Sequence, residues 1–226
     1  MGQELDQPVW AALHGRQAAW AQDNGLACRY LPEVTSRGAL ANATPEAFAA
    51  LAALQGPSEA TDVTFDEPAG PPLGWKTLAS ASLLQYVFEG KPPGVVEVGM
   101  EDLGPADSAE MLALARLTKP GPFATRTHEL GDFVGVRREG RLVAMAGERI
   151  KLTGYTEISA VCTHPEASGQ GLAAALVAQL VGRIEARGEG AFLHVLAHNA
   201  RAIALYERLG FRRRRQMHVL LVRRPS

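Results

Sequence analysis

Val161-Cys162-Thr163-His164-Pro165-Glu166-Ala167-Ser168-Gly169-Gln170-Gly171-Leu172-Ala173 is the stretch on which the fold turns. A strand-like segment runs into a glycine-containing turn, and a helix starts there. Leu172, Leu176, Val177, Leu180, Val181 and Ile184 share one face at helical spacing, and Gly188-Glu189-Gly190 ends the pattern. A helix start presents unpaired N–H groups and the positive end of the helix dipole. Glycines let a ligand approach the backbone closely. The combination suits a diphosphate, although a short G-x-G at a helix start also occurs as a plain tight turn.

The neighbouring segments extend the pattern. Upstream lie an expected strand over 95–98, a helix over 106–117, and two strands, 132–138 and 141–152, joined by Glu139-Gly140. The strand entering the turn covers 156–163, and the helix leaving it covers 171–187. Downstream, 191–197 is an apolar run suited to a buried strand, 200–209 is a helix ended by Gly210, and 211–223 is a last strand. The order β-α-β-β-β-α-β-α-β makes an α/β (α+β) layer with a substantial sheet.

The segment His198-Asn199-Ala200-Arg201-Ala202-Ile203-Ala204-Leu205-Tyr206-Glu207-Arg208-Leu209-Gly210-Phe211 closely resembles the second motif of the GNAT superfamily of N-acetyltransferases. The turn at 168–173 resembles that family's acyl-CoA pyrophosphate loop, Q/R-x-x-G-x-G/A, with Ser168 where Gln or Arg is usual. The resemblance covers residues 94–226, and within the superfamily the chain looks most like the FR47-like bacterial proteins. It implies a GNAT fold, with a central mixed sheet flanked by helices. It also implies acetyl-CoA as cosubstrate and a primary amine, on a small molecule or a protein, as acceptor.

By the same resemblance, the pantetheine enters where strands 156–163 and 191–197 splay apart. Backbone groups of Val161 and Thr163 would pair with its amides. An N–H near Val161 or Cys162 would face the thioester oxygen. Ser168, Gly169, Gln170, Gly171, Leu172 and Ala173 would cradle the diphosphate. Tyr206 matches the family's proton donor to the leaving thiolate, against a competing place in the helix core. Asn199 either contacts the cosubstrate or caps its helix. Glu157 matches a glutamate that serves as general base in some members of the family, against a competing reading as a solvated or ion-paired carboxylate. Cys162 is better read as a small buried thiol than as an acyl-carrying nucleophile. Phe123 and Arg126, in the Pro- and Gly-containing loop 117–129, are candidate acceptor contacts.

Residues 1–90 read less clearly. A helix over 7–22, a helix from Pro45 to Leu54 capped by Thr44, and strands at 63–65 and 81–88 are expected. Gly90-Lys91-Pro92-Pro93-Gly94 looks like a domain boundary. By analogy with glycine-N-acyltransferase-like proteins, the region before it is expected to be a degenerate half of the same fold.

Composition sets the remaining bounds. With 23 Lys plus Arg against 24 Asp plus Glu, the net charge of -1 argues against a nucleic-acid binder. The run Arg212–Arg215 begins a strand, so its side chains should alternate between faces. Two cysteines are too few for a disulfide framework or a Cys-built metal site, and no metal is expected. The start Met1–Asp6 lacks signal-peptide character, and no apolar run is long enough for a membrane span. A cytoplasmic monomer or homodimer is the expectation. The Arg excess, 19 to four Lys, with 37 Ala, suggests a GC-rich bacterial genome.

Overall fold

The computed structural model describes residues 3–91, 94 and 98–225. The chain starts with α1 (Pro8–Leu13), with Pro8 at its first position. The expected helix over 7–22 ends early. A Cβ on Gly15 would meet the Ala11 carbonyl oxygen at 2.8 Å, and the chain passes through a 3-10 turn into β1 (Ala21–Asp23). Strands β2 (Ala27–Tyr30) and β3 (Gly38–Leu40) complete a small antiparallel sheet. Helix α2 (Pro45–Leu54) follows, and its Thr44 cap accepts from the Ala47 N–H at 3.4 Å.

The remaining elements build one eight-stranded sheet. They are β4 (Thr61–Phe65), β5 (Lys76–Phe88), β6 (Met100–Leu103), α3 (Ser108–Thr118), β7 (Phe133–Arg138), β8 (Arg141–Leu152), β9 (Tyr155–Thr163), α4 (Leu172–Ala186), β10 (Gly190–Leu196), α5 (Ala200–Arg208) and β11 (Phe211–Arg223). The order is β4-β11-β5-β10-β9-β8-β7-β6. Among the described strand pairs of this sheet only β9–β10 is parallel. The expected strand over 95–98 falls mostly outside the described residues.

The division expected at 90–94 cuts through this sheet. β5 lies between β11 and β10, paired with both, and β4 extends the far edge. The partner strands are more than 100 residues away, so no local pattern announces them.

Alternation gives the sheet two buried faces. On one, Leu172, Leu176, Leu180 and Ile184 of α4 pack on Leu84, Tyr86, Ile158 and Leu193. On the other, Leu5, Val9 and Leu13 pack with Val87, Ile150 and Phe192. Each such side chain contributes about 1.5–3 kcal/mol by leaving water. The N-terminal segment is therefore one wall of the core. A fragment spanning 94–226 would leave β10 and β11 without their shared partner. It should show no cooperative thermal transition by circular dichroism, and a sharp transition would contradict this account.

Candidate active site

The parallel pair β9–β10 is short. Tyr155–Glu157 pair with Gly190–Phe192, and beyond that point no pairing joins the strands. β10 continues along β5 as far as Leu196, and β9 continues along β8. A cavity of about 790 Å³ fills the fork, with Ile158–Thr163 on one side and His194–Leu196 on the other. β9 also bulges here. Met145 faces Cys162 and Gly147 faces Ser159, so two β9 residues oppose Ala146 alone. Ala160 takes φ 52°, a left-handed conformation that costs a non-glycine residue about 1–3 kcal/mol. A bulge leaves backbone groups out of the ladder, here beside the cavity.

At one end of the cavity the chain turns through Pro165–Ala167 into α4. Gly169 and Gly171 hold φ of 80° and 77°, which only glycine adopts freely. The first turn of the 15-residue helix carries no acidic side chain. Its unpaired N–H groups and dipole therefore favour an anion. Ser168, Gly169, Gly171, Leu172 and Ala173 all line the cavity. Gln170 is exposed and is not on the wall.

α5 forms the opposite lip. Asn199 accepts from the Ala202 N–H at 3.1 Å, capping the helix, and also lines the cavity. Tyr206 is 8% exposed, lies on the wall and meets the Phe211 ring edge-on at 6.0 Å. Burial pushes its phenol up to about 12, so it stays protonated at neutral pH. Arg201 and Arg208 reach the same wall, a pair the sequence reading passed over. Their spacing of seven residues, two helical turns, was the available signal.

Val161, Cys162 and Thr163 line the fork. Burial pushes the Cys162 thiol up to about 11, the opposite of what a nucleophile needs. Glu157 does not reach the wall. It is fully buried, held by Arg149 through Nε at 2.9 Å and Nη2 at 2.7 Å, and by His194 Nδ1 at 2.7 Å. Burial alone would raise its carboxyl. The Arg149 guanidinium and the His194 hydrogen bond outweigh burial and hold it well below the usual carboxylate range. Such a group is a poor proton acceptor, so the geometry favours the ion-paired alternative over the general base. Burial lowers His194, so the ring is neutral, donating from Nδ1 and accepting the Gln85 amide at Nε2 over 3.2 Å.

The acceptor candidates Phe123 and Arg126 stand off the wall. Phe123 packs edge-on against Phe133 at 5.9 Å. Arg126 is engaged by Glu33 at 3.0 Å and Glu129 at 2.7 Å. The first part of that loop, Thr118–Pro122, lines the cavity instead. In the arginine run, Arg214 and Arg215 bind Asp6, and Arg215 also binds Asp66. Among the described residues no cluster of His, Cys, Asp or Glu is arranged for a metal, and no helix is long and apolar enough to cross a membrane.

Comparison with known proteins agrees with this geometry. The FR47-like protein family matches residues 133–220. The [Ribosomal protein bS18]-alanine N-acetyltransferase of Escherichia coli K12 is 39% identical over 111 residues, covering 49% of this chain and 74% of that protein. A crystal structure from the GNAT family, from Novosphingobium aromaticivorans, superposes with a TM-score of 0.92 at 42% identity over 100% of both chains. A GCN5-related N-acetyltransferase from Kribbella flavida shares the fold, with a TM-score of 0.63 at 20% identity, covering 98% of this chain and 96% of that one.

The Glu157 pair has a measurable consequence. Removing one partner of a buried ion pair costs about 3–5 kcal/mol. Glu157→Gln should therefore lower the melting temperature steeply at pH 7. A depressed carboxyl stabilises the fold above its ordinary value of 4.5, and this contribution fades as pH falls toward the folded-state value. The gap between wild type and Glu157→Gln should narrow below pH 4.5. A gap that is constant from pH 7 to pH 3 would contradict the pairing.

Proposed function

The chain belongs to the GNAT superfamily of acyl-CoA-dependent N-acyltransferases, and on that premise we propose that it moves an acetyl group from acetyl-CoA to a primary amine by direct attack in a ternary complex. The observation that carries this reading is the continuity of one cavity from the α4 N-terminus, through the β9–β10 fork, past Tyr206. That is the path a long cosubstrate with a polyanionic end and a thioester end requires.

The N–H groups of Gly169–Ala173 would take the diphosphate, with Arg201 and Arg208 adding positive charge from the α5 lip opposite. Backbone groups of Val161 and Thr163 would hold the pantetheine. An N–H at the bulge, near Val161 or Cys162, would stabilise the oxyanion as the amine nitrogen bonds to the carbonyl carbon. The C–S bond then breaks, and the Tyr206 hydroxyl gives its proton to the departing sulfur. The protonated amine loses a proton to solvent. Glu157 serves as a positioning residue, fixing Arg149 and His194 on the wall. Cys162 contributes packing.

Incubation with acetyl-CoA and a panel of primary amines should release free thiol only when a suitable amine is present. Tyr206→Phe should lower kcat by about 10²-fold or more and leave the KM for acetyl-CoA nearly unchanged. An unchanged kcat, measured where chemistry limits turnover, would remove Tyr206 as the proton donor. Failure to bind acetyl-CoA in calorimetry would sink the reading.

A further inference from the structure

The cavity continues past the fork to the face of the sheet that carries the N-terminal segment. Its wall there holds charge that the acyl-CoA end does not use. Arg37, just before β3, lines this part and is 7% exposed. Among the described residues its guanidinium makes no ion pair, and its Nε has no hydrogen-bond partner. Its buried neighbours differ: Arg149 is held by Glu157 and Arg29 by Glu59. Burial, with the nearby Arg149 charge, pulls Arg37 down to about 10. Glu157 and Asp62 oppose that pull only in part and accept no hydrogen bond from the guanidinium. A buried charge with an unfilled donor is costly, and a site that keeps one is suited to a ligand of opposite sign.

The placement of Arg37 is not loose. Its carbonyl accepts from the Tyr30 N–H at 2.9 Å, and the adjacent Ser36 carbonyl accepts from the Asp62 N–H at 2.8 Å. Asp62 lines the same cavity, accepts the Ser36 hydroxyl, and forms no ion pair with Arg37. Arg37 and Asp62 are partners in an isolated parallel bridge, so a cation and an anion stand side by side on one wall without forming an ion pair. The same cavity is lined by the small apolar side chains of Ala79 and Ala81 and by Leu221, and the Arg37 charge acts on His194 at the fork. A guanidinium matches a carboxylate through two parallel hydrogen bonds.

Resting on the acyl-transfer reading, we propose that the acceptor is a small aminocarboxylate of the α-amino acid class. Its carboxylate sits on Arg37, Asp62 draws in the ammonium form, and the amine meets the thioester at the β9 bulge. The new bond is an amide on the amino acid nitrogen, with the displaced thiol and one proton as the other products.

The test is calorimetry on the full chain saturated with CoA, titrated with the standard L-α-amino acids and then with the carboxamides of those that bind. At least one amino acid should bind, and its carboxamide should bind about 10-fold more weakly or worse. Arg37→Gln should erase that difference, and Arg37→Lys should keep part of it, with a melting curve showing each variant folded. If Arg37→Gln does not fold, the acid–carboxamide comparison on the wild type decides alone. No binding by any amino acid, equal binding of the carboxamide, or an intact preference in Arg37→Gln would overturn the proposal. Thiol release, followed with acetyl-CoA and the same compounds, reports separately on transfer. An acid preference without thiol release keeps the subsite and removes the acyl-transfer reading. Transfer to carboxamides as fast as to acids does the reverse.

Discussion

The buried carboxylate of Glu157 fixes where the sheet divides. It sits in the last parallel pair before the fork, on β9, and binds Arg149 from β8 and His194 from β10. His194 passes the chain of hydrogen bonds to Gln85 on β5, and Gln85 accepts from Arg214 on β11 at 2.8 Å. Five adjacent strands are thus tied by one polar line. Arg214 also binds Asp6, and the Gln85 amide donates to the Leu5 carbonyl at 2.8 Å, so the line anchors the N-terminal segment as well. In a low-dielectric interior such a network is stabilising only while every member is satisfied. It permits β9 and β10 to part immediately beyond it without loosening the sheet.

The fork then separates two kinds of chemistry. On the α4 and α5 side, the cavity offers the helix-start N–H groups, two left-handed glycines and a pair of arginines. On the N-terminal side, the cavity is walled by side chains from β4, β5, β11 and the segment before β3. Local positive charge at a helix start explains how a chain of net charge -1 can suit a polyanion without a global electrostatic pull. The arginine run fits the same picture, since Arg214 and Arg215 are occupied with Asp6 and Asp66.

Much of the fork's C-terminal half was legible in the sequence because its signals are local. The glycines at 169 and 171, the apolar stripe of α4 and the Gly210 stop each report on residues a few positions away, and the strands from Phe133 to Thr163 lie within a residue or two of expectation. What was illegible depends on distant partners. Strand β5 is a central strand, but its neighbours are residues 190–196 and 211–223. Arg149 and Glu157 are eight residues apart and meet across a strand pair whose register shifts between Glu148 and Lys151, so spacing did not reveal them. Arg126 looked available because Glu33, its remote partner, is 93 residues away. Arg37 carried no motif at all, and only its burial, with an Nε that has no partner among the described residues, marks it.

The central claim is that the fork between β9 and β10 is an acyl-CoA channel. The most direct measurement is a crystal structure of the protein grown with CoA. The account predicts the diphosphate on the N–H groups of Gly169–Ala173, the pantetheine between Ile158–Thr163 and His194–Leu196, and the sulfur beside Tyr206. CoA bound elsewhere, or a fork left empty at saturating CoA, would contradict it.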